Sequence, residues 1–380
     1  MSDPQPGTVV IGGGQAGLAV GYHLRQRHLP FVILDDNDRI GDAWRKRWDS
    51  LRLFTPGRYD GLPGMRFPGP SSSYPTKDEI AAFLEVYVRA FELPVRTGTR
   101  IERLSKIGDR FEVESDEGAL WAENVVVATG AYHDPRVPPF ARELDDRIVQ
   151  LHSSEYRNPS QVQEGGVLIV GAGNSGAEVA MELAPHHPTW LSGRDTGQEP
   201  TRAGSAADRL FTPVLWFMAT RVLTVKTRLG RKVRDRFLDP PRGIPLGRVR
   251  RRDFVAAGIE RVARMAGVRN GSPVLEDGTV LDVSNVIWCT GFAGRYDWID
   301  LSLPTRNGVP IHDRGIVEAC PGLYFVGLPF LYSLSSALVG GVGRDAEHIV
   351  DHIASTRVRY GTKVDPSRMH RIGGTQSSAG

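Results

Sequence analysis

A chain of 380 residues, 40% hydrophobic and 24% charged, is long enough for two or three globular domains. It contains no run of about 18 apolar residues and starts without a signal-peptide pattern, so we expect a cytoplasmic protein. Cys289 and Cys320 are its only cysteines. Because they form neither C-x-x-C nor a zinc-ligand spacing, dithiol redox chemistry and a metal site are disfavoured.

A strand, a glycine turn, a helix and a second strand open the chain. The apolar run Thr8–Ile11 leads into G-x-G-x-x-G, a helical pattern covers residues 15–27, and a second apolar run occupies Phe31–Leu34. In such a unit the glycines allow a tight turn, close approach of a pyrophosphate and packing of the helix on the strand. We therefore predict a dinucleotide site that includes Gly12, Gly14, Gln15, Ala16 and Gly17.

The second strand of this unit ends in acidic residues. Asp35 stands about 20 residues beyond the glycine turn, where a carboxylate that binds a ribose hydroxyl is expected. This position suits an unphosphorylated ribose such as that of FAD. Asp36 is the alternative partner.

One amphipathic helix and several strands separate this unit from a repeat of it. Thr76 and Glu79 form a capping box, and apolar residues at helical spacing follow until Pro94 stops the helix. Residues 99–128 alternate as strands and end in VVVATG, a buried strand that leads into Gly130.

Residues 167–194 repeat the pattern of the opening unit. The run Val167–Val170 precedes a second G-x-G-x-x-G, and the next strand, residues 189–191, ends in Ser-Gly-Arg without a carboxylate before Asp195. A hydroxyl and a guanidinium here favour a 2′-phosphate, hence NADPH over NADH; a solvated surface arginine is the alternative. The predicted second site includes Gly171, Gly173, Asn174, Ser175, Gly176, Ser192 and Arg194.

Two further buried strands, in NVIWCTGF and GLYFVG, also end in glycine and lie far from the opening unit. They indicate that the first domain is interrupted by the second and then resumed. The predicted fold is α/β, with two Rossmann-like dinucleotide-binding domains and the NADPH domain inserted into the FAD domain. We place the FAD domain at residues 1–152 and 286–360, the NADPH domain at 153–285, and a disordered tail at 361–380.

The net charge of +3 is unevenly distributed. Residues 221–252 contain twelve Lys and Arg against two Asp, next to the apolar run Leu215–Met218. We expect this segment to cover a cofactor cleft or to form the interface of a homodimer. Peripheral membrane contact through residues 211–236 is the alternative, and no recognition motif points to nucleic acid.

These motifs, in this order, resemble those of the class B flavin-dependent monooxygenases, which include flavin-containing monooxygenases, plant YUCCA-type enzymes and short bacterial relatives. The resemblance covers about residues 8–355. It rests on VVIGGGQAG, GDAWRKRWDSLRLFTP, LPGMRFP, VVVATG, LHSSEYRNP, VLIVGAGNSGAEVA, VIWCTGF and GLYFVGLPF.

The resemblance implies a reaction in which NADPH reduces FAD and dioxygen adds to give a C4a-peroxyflavin or hydroperoxyflavin. One oxygen atom then passes to a small amine, sulfide, keto acid or ketone, and the protein keeps water out. It also implies that Trp44 and Arg45 contact FAD, that Thr129 and Gly130 form a turn beside it, and that Gly327 gives a last backbone approach. A packing tryptophan, a surface arginine and structural strand ends are the alternatives.

The chain departs from the family pattern at two places. In the fingerprint F-x-G-x-x-x-H-x-x-x-Y only His152 and Tyr156 are present. They are candidate catalytic residues, with a role as linker hydrogen-bonding residues as the alternative, and the final Tyr favours heteroatom over Baeyer–Villiger oxidation. Phe54, the third candidate catalytic residue, stands where the family often has an active-site Asn. This removes a polar contact and leaves two outcomes open, efficient oxidation or leakage to peroxide.

Three functions therefore stay open. The first is a monooxygenase that uses FAD and NADPH, with dioxygen and a small organic molecule as substrates. The second is an NAD(P)H oxidase or flavin reductase that makes hydrogen peroxide. The third is a non-catalytic, membrane-associated redox flavoprotein.

Overall fold

The computed structural model describes residues 6–238, 243–306 and 308–361, with side chains up to residue 356. Two five-stranded sheets, parallel throughout, form its framework. The predicted tail falls almost entirely outside the described residues. The α-helices are Gln15–Gln26, Asp42–Arg45, Lys77–Ala90, Asn174–Leu183, Ala206–Phe217, Arg228–Leu238, Arg251–Ala256 and Gly343–Gly361, with 3-10 turns at Gly57–Tyr59, Pro139–Glu143 and Pro159–Gln161 and a π-helical turn at Met218–Val222.

The first sheet has the opening strand at its centre. Val10 packs on one face with the helices, and Val9 and Ile11 pack on the other face against the core that contains Phe111. Burial on both faces explains why this strand reads as a continuous apolar run. In spatial order the strands are Leu323–Phe325, Asn124–Val127, Thr8–Ile11, Phe31–Leu34 and Val95–Arg96.

The second sheet repeats this arrangement. Ile169 packs toward the helix Asn174–Leu183, whereas Leu168 and Val170 pack toward Trp288 and the hairpin that contains Met265. In spatial order the strands are Glu260–Val262, Thr189–Ser192, Val167–Val170, Asn285–Trp288 and Val149–His152.

The helix Lys77–Ala90 begins with the predicted capping box. The Glu79 N–H donates to Thr76 Oγ1 (3.2 Å) and the Thr76 N–H donates to Glu79 Oε2 (2.7 Å).

Small antiparallel sheets complete the fold. The small sheets pair Ile101–Ile107 with Arg110–Ser115 and Gly118–Ala122, Met265–Arg269 with Ser272–Leu275, Asp134–Pro135 with Phe292–Ala293, and Thr305–Arg306 with Val309–Pro310.

The chain leaves the first sheet after Asn124–Val127, builds the second sheet, and returns at Leu323–Phe325, so the predicted insertion of one domain into the other is confirmed. The boundaries predicted at 152 and 286 disagree with sheet membership and are corrected here. Val149–His152 and Asn285–Trp288 pair with each other, and the latter pairs with Val167–Val170, so both belong to the second sheet. A buried strand that ends in Thr-Gly occurs in both sheets, so its sequence does not reveal which one it joins.

Candidate active site

One cavity of about 3040 Å³ joins the two glycine turns. It lies at the carboxyl ends of the parallel strands of both sheets, where open α/β folds bind ligands. Most of the predicted cofactor residues line it. These are Gly12, Gly14, Gln15, Ala16, Asp35, Trp44, Thr129, Gly130, Gly171, Gly173, Asn174, Ser175, Gly176, Ser192, Arg194 and Gly327.

The three glycines of each turn differ in what a side chain would meet. A Cβ at Gly12 (φ +111°) would lie 2.6 Å from the Ala128 carbonyl oxygen, and one at Gly17 would lie 1.8 Å from the Gly12 carbonyl oxygen. A Cβ at Gly14 would meet no atom within 4 Å. The first and third glycines therefore permit the turn and the helix packing, whereas the middle one leaves open space at the helix start.

The second turn has the same geometry. A Cβ at Gly171 (φ +114°) would lie 2.2 Å from the Cys289 carbonyl oxygen, one at Gly176 would lie 1.8 Å from the Gly171 carbonyl oxygen, and one at Gly173 would meet nothing within 4 Å. Open space in front of a helix N-terminus fits a pyrophosphate, because unpaired backbone N–H groups and the helix dipole favour an anion there. Both turns therefore fit a dinucleotide.

Asp35 is held in place by the loop around it. Its carboxylate accepts hydrogen bonds from the Gly13 N–H (2.5 Å), the Asn37 N–H (2.9 Å) and the Asn37 side chain (2.8 Å). It lines the cavity beside the first turn, which agrees with its predicted contact with a ribose. Asp36 also lines the cavity but is exposed and accepts only from Asn37 among the hydrogen bonds described (3.1 Å).

Cations surround the strand end at the second turn. Arg194 is exposed and lines the cavity. Asp195 is bound by Arg251, and Arg261 donates to the Gly193 carbonyl oxygen (2.9 Å). The group has more guanidinium than carboxylate charge, as a 2′-phosphate site requires.

Ser192 cannot serve this site as predicted. Its hydroxyl is fully buried, donates to the Ala263 carbonyl oxygen (2.9 Å) and accepts from the Met265 N–H (2.9 Å). The Thr196 hydroxyl lies at the same cavity wall and is buried without a hydrogen-bond partner in the part of the chain described. We therefore assign to Thr196 the role of the hydroxyl that binds the 2′-phosphate. The sequence pattern considered only the residues directly at the strand end, and Thr196 lies four residues beyond it.

Asn174 lines the cavity, but its side chain holds a loop. Its amide donates to the carbonyl oxygens of Ile244 (3.3 Å) and Pro245 (3.1 Å) and accepts from the Gly247 N–H (3.2 Å). It therefore fixes the loop over the second turn, and only its backbone is available to a ligand.

Trp44 and Arg45, the neighbouring residues predicted to contact FAD, have different environments in the structure. Trp44 lines the cavity and packs between the cores of the two domains. Arg45 does not line it, because its guanidinium binds the Ile40 carbonyl oxygen (2.8 Å), Asp42 (2.9 Å) and Glu85 (2.8 Å). The predicted FAD contact of Arg45 therefore gains no support from this geometry.

Arg47, two residues beyond Arg45, has a different environment. It lines the cavity, its guanidinium lies 5.4 Å from the Phe292 ring centre, and it forms no ion pair with a carboxylate among the described residues. Burial, with Arg157 nearby, lowers its pKa. Two cations without a carboxylate at a cavity wall attract a phosphate.

We predict opposite effects for two neighbouring arginines. Arg47→Ala should raise the Kd for NADPH or lower FAD occupancy about tenfold, as for loss of a charge-assisted hydrogen bond, with little change in thermal stability. Arg45→Ala should lower the Tm and leave nucleotide affinity unchanged. Fluorescence titration and thermal unfolding of both variants test this, and reversed effects would contradict the assignment.

His152 and Tyr156 do not reach the cavity, so their predicted catalytic roles are corrected. The ring of His152 is buried, with Nε2 at 3.1 Å from the Gly291 carbonyl oxygen and Nδ1 at 2.9 Å from Ser154 Oγ. Burial lowers its pKa. The hydroxyl of Tyr156, fully buried, donates to Glu182 (3.2 Å). Both are structural, and His152 positions the Thr290–Gly291 turn, which does line the cavity.

Phe54 lines the cavity with 40% of its surface exposed. The Arg248 guanidinium lies 5.8 Å from its ring centre, forms an ion pair with Glu178 (3.2 Å) and donates to the Leu53 carbonyl oxygen. Arg248 thus ties the Phe54 loop of the first domain to the helix that begins at the second glycine turn. No motif marked this residue.

A buried carboxyl lies directly behind this loop. Asp60 is fully buried, and one of its oxygens accepts a hydrogen bond from Thr55, whose side chain lines the cavity. The other oxygen has no partner among the described residues. Burial raises the pKa of Asp60 from 3.8 to about 7.

This shift makes stability depend on pH. Because the folded state holds the proton more tightly than the unfolded state, stability is lost as the pH rises from about 4 to about 7. Asp60→Asn should reduce that loss and raise the free energy of unfolding above pH 7 by up to about 4 kcal/mol. Denaturant titrations at several pH values test this. The exposed Asp109→Asn is the control, and an unchanged pH slope in Asp60→Asn would contradict the prediction.

The basic segment divides into parts with different surroundings. The helix Arg228–Leu238 contributes four residues to the cavity lining, as expected for a segment that covers a cofactor cleft; they are Val233, Arg234, Arg236 and Phe237.

Among the helices of the described ranges, none has the length and apolar character needed to span a membrane. No cluster of metal-ligating side chains occurs among these residues either.

Arg314 is another cavity residue that no sequence pattern marked. It adopts a left-handed backbone (φ 47°), its guanidinium lies 4.4 Å from the Tyr332 ring centre, and its buried Nε has no partner in the described part. Non-glycine residues rarely adopt this conformation, and they cluster at functional sites.

Comparison with known proteins gives consistent matches. Residues 9–199 match the family model described as pyridine nucleotide-disulphide oxidoreductase. An uncharacterized oxidoreductase CzcO-like of Geobacillus kaustophilus (strain HTA426) is 42% identical over 350 residues, which are 91% of this chain and 97% of that protein. A probable indole-3-pyruvate monooxygenase of Arabidopsis thaliana is 30% identical over 319 residues, 75% of this chain and 74% of that protein. The flavin-containing monooxygenase of Stenotrophomonas maltophilia superposes with a TM-score of 0.70 at 29% identity, covering 92% of this chain and 98% of that one.

The two-domain fold and these relatives define an enzyme of the flavin-dependent monooxygenase class, with FAD and NADPH as cofactors. The chain belongs to the pyridine nucleotide-disulphide oxidoreductase family. The resemblance predicted from the motifs is therefore confirmed, and the non-catalytic alternative loses its support.

Proposed function

We propose that the protein is a monooxygenase that inserts one atom of dioxygen into a small amine, sulfide, keto acid or ketone. FAD binds at the turn that contains Gly14, and NADPH binds at the turn that contains Gly173. The observation that carries this proposal is the shared cavity of about 3040 Å³. Because a pocket for one small ligand has about 300–1,000 Å³, this cavity has room for two dinucleotides and a substrate in contact.

When bound and reduced, the flavin supplies the electrons that activate dioxygen. The chain's own residues bind, orient and exclude water. Asp35 and the first turn hold one nucleotide, and Arg194 and Thr196 hold the other. Apolar side chains line part of the cavity and disfavour water there, which protects a reactive oxygen species from decay; they are Phe237, Leu328, Phe330, Leu331, Leu338 and Val339.

Thiol chemistry is not supported by the cysteines. Cys289 and Cys320 are both free. Cys289 borders the cavity, but burial raises its pKa to about 12, so it carries no thiolate at neutral pH. The other cysteine, Cys320, packs in a different core cluster from Cys289, so the two thiols do not form a redox pair. The cysteines therefore give no support for disulfide reduction by a dithiol.

Peroxide formation is the second candidate function. Phe54 presents an aromatic face to the cavity at a position where related monooxygenases often have a polar residue. Loss of that polar contact shortens the lifetime of activated oxygen and favours release of hydrogen peroxide. An NAD(P)H oxidase would release hydrogen peroxide whichever organic substrate is supplied.

Isotopically labelled dioxygen separates the two functions. The holoenzyme is supplied with NADPH and, in separate reactions, a tertiary amine, a thioether, a keto acid and a ketone. The proposal predicts label in the product of one of them and peroxide below the NADPH consumed. Peroxide equal to NADPH in every reaction, with no labelled product, would establish the oxidase instead.

A further inference from the structure

The helix Ala206–Phe217 has its polar face inside and its apolar face outside. Asp208 is 5% exposed and Thr212 is 9% exposed, and these are the buried residues of the helix. The Asp208 carboxylate accepts from the hydroxyls of Tyr74, Thr201 (3.3 Å) and Thr212 (2.8 Å). The helix is thus anchored by a hydrogen-bonded carboxylate, opposite to the usual pattern of a surface helix.

Its outer face is apolar. Leucine, phenylalanine and valine side chains at i, i+1, i+4, i+5 and i+7 share one side of the helix. We call these residues the outer face. They are Leu210 (73% exposed), Phe211 (50%), Val214 (57%), Leu215 (37%) and Phe217 (58%). The outer face does not line the cavity between the glycine turns, so cofactor binding does not cover it.

Positive charge is concentrated in and after the helix that carries the outer face. Exposed cations occur on this helix, in the segment that follows it and on the next helix, namely Arg209, Arg221, Lys226, Arg228, Arg231 and Lys232. Over residues 206–238 the exposed carboxylate is Asp235, which already accepts two hydrogen bonds from Arg234 (3.1 and 3.0 Å). The surface therefore combines exposed apolar side chains with a largely uncompensated positive rim.

We propose that the outer face docks on an anionic lipid membrane. Apolar side chains in one stripe enter the boundary between headgroups and acyl chains, while the surrounding Lys and Arg bind the lipid phosphates. Insertion of the apolar side chains and attraction of the cations to the lipid phosphates act together, because either one alone gives only weak membrane binding. Charge complementarity selects the membrane over a second copy of this chain, since two copies would bring like-charged rims together. The helix lies on the membrane and does not cross it.

Co-sedimentation of the flavin-loaded, full-length enzyme with vesicles tests the proposal. Vesicles of phosphatidylcholine alone are compared with an equal mixture of phosphatidylcholine and phosphatidylglycerol. We expect binding to the anionic vesicles that weakens as salt is added. Replacing Phe211 and Phe217 by Ser should lower the partition coefficient about tenfold or more, and replacing Arg228 and Lys232 by Gln should lower it about 30-fold.

A matched control removes apolar surface elsewhere. Val255 and Ile107 are 80% and 60% exposed and lie on other elements, so Val255→Ser with Ile107→Ser should leave vesicle binding unchanged. Flavin content and NADPH-driven flavin reduction should be normal in all variants, which shows that they fold. No binding to the anionic vesicles would overturn the proposal. So would a dimer in solution that Phe211→Ser and Phe217→Ser dissociate, because the outer face would then contact a second copy.

Discussion

Gly14→Val should yield a folded protein without flavin. A Cβ at Gly14 meets no protein atom within 4 Å, and the backbone there (φ −75°, ψ −175°) is extended, so the substitution adds no strain. The side chain instead fills the space in front of the helix Gln15–Gln26 that a pyrophosphate needs. Absorbance of the purified protein measures bound flavin, and circular dichroism measures folding.

The second turn provides the matched variant. Gly173 has the same open surroundings and an extended backbone (φ −78°, ψ −171°). Gly173→Val should therefore keep its flavin but lose reduction by NADPH. Full flavin occupancy in Gly14→Val would show that flavin does not bind at the first turn. Loss of flavin in Gly173→Val would show that flavin binds at the second turn.

Arg194→Ala should raise the Michaelis constant for NADPH much more than that for NADH. Only NADPH carries the 2′-phosphate that an exposed guanidinium at the end of Thr189–Ser192 would bind. Loss of this charge-assisted hydrogen bond is worth about 1 to 2 kcal/mol, or about 5- to 30-fold in the NADPH constant. Steady-state kinetics with both nucleotides give the ratio directly.

Two further variants separate binding from structure at this site. Thr196→Val should lower the preference for NADPH by a smaller factor, because its hydroxyl is neutral. Ser192→Ala should lower stability by about 1 to 3 kcal/mol without changing the ratio, because its hydroxyl bonds only to Ala263 and Met265. Equal losses for NADPH and NADH in Arg194→Ala would refute the 2′-phosphate site.

Local geometry explains which parts of the site the sequence predicted. The spacing of each glycine turn is set within the turn, because a Cβ at Gly17 or Gly176 would clash with the carbonyl oxygen of the first glycine of the same turn. Asp35 follows from the strand that precedes it. The fold class follows in the same way, since both sheets are built from strand–turn–helix units.

Long-range contacts explain what the sequence did not predict. Arg45 and Arg47 are alike in type, and the distant Glu85, together with Asp42, binds Arg45 away from the cavity. His152 and Tyr156 match a fingerprint, but Gly291 and Glu182 occupy their polar atoms. Sheet membership of Asn285–Trp288 likewise depends on a partner more than a hundred residues away.

Anaerobic stopped-flow reduction shows whether NADPH reduces the flavin and whether the reduced flavin activates dioxygen. The flavin-loaded enzyme is mixed with NADPH or with NADH, and the reduced enzyme is then mixed with aerated buffer while the flavin spectrum is recorded. We expect faster reduction by NADPH than by NADH and, after oxygen is added, a transient spectrum distinct from both oxidised and reduced flavin. Failure of both nucleotides to reduce the flavin would contradict the proposed function, and direct return to oxidised flavin with release of peroxide would establish an oxidase.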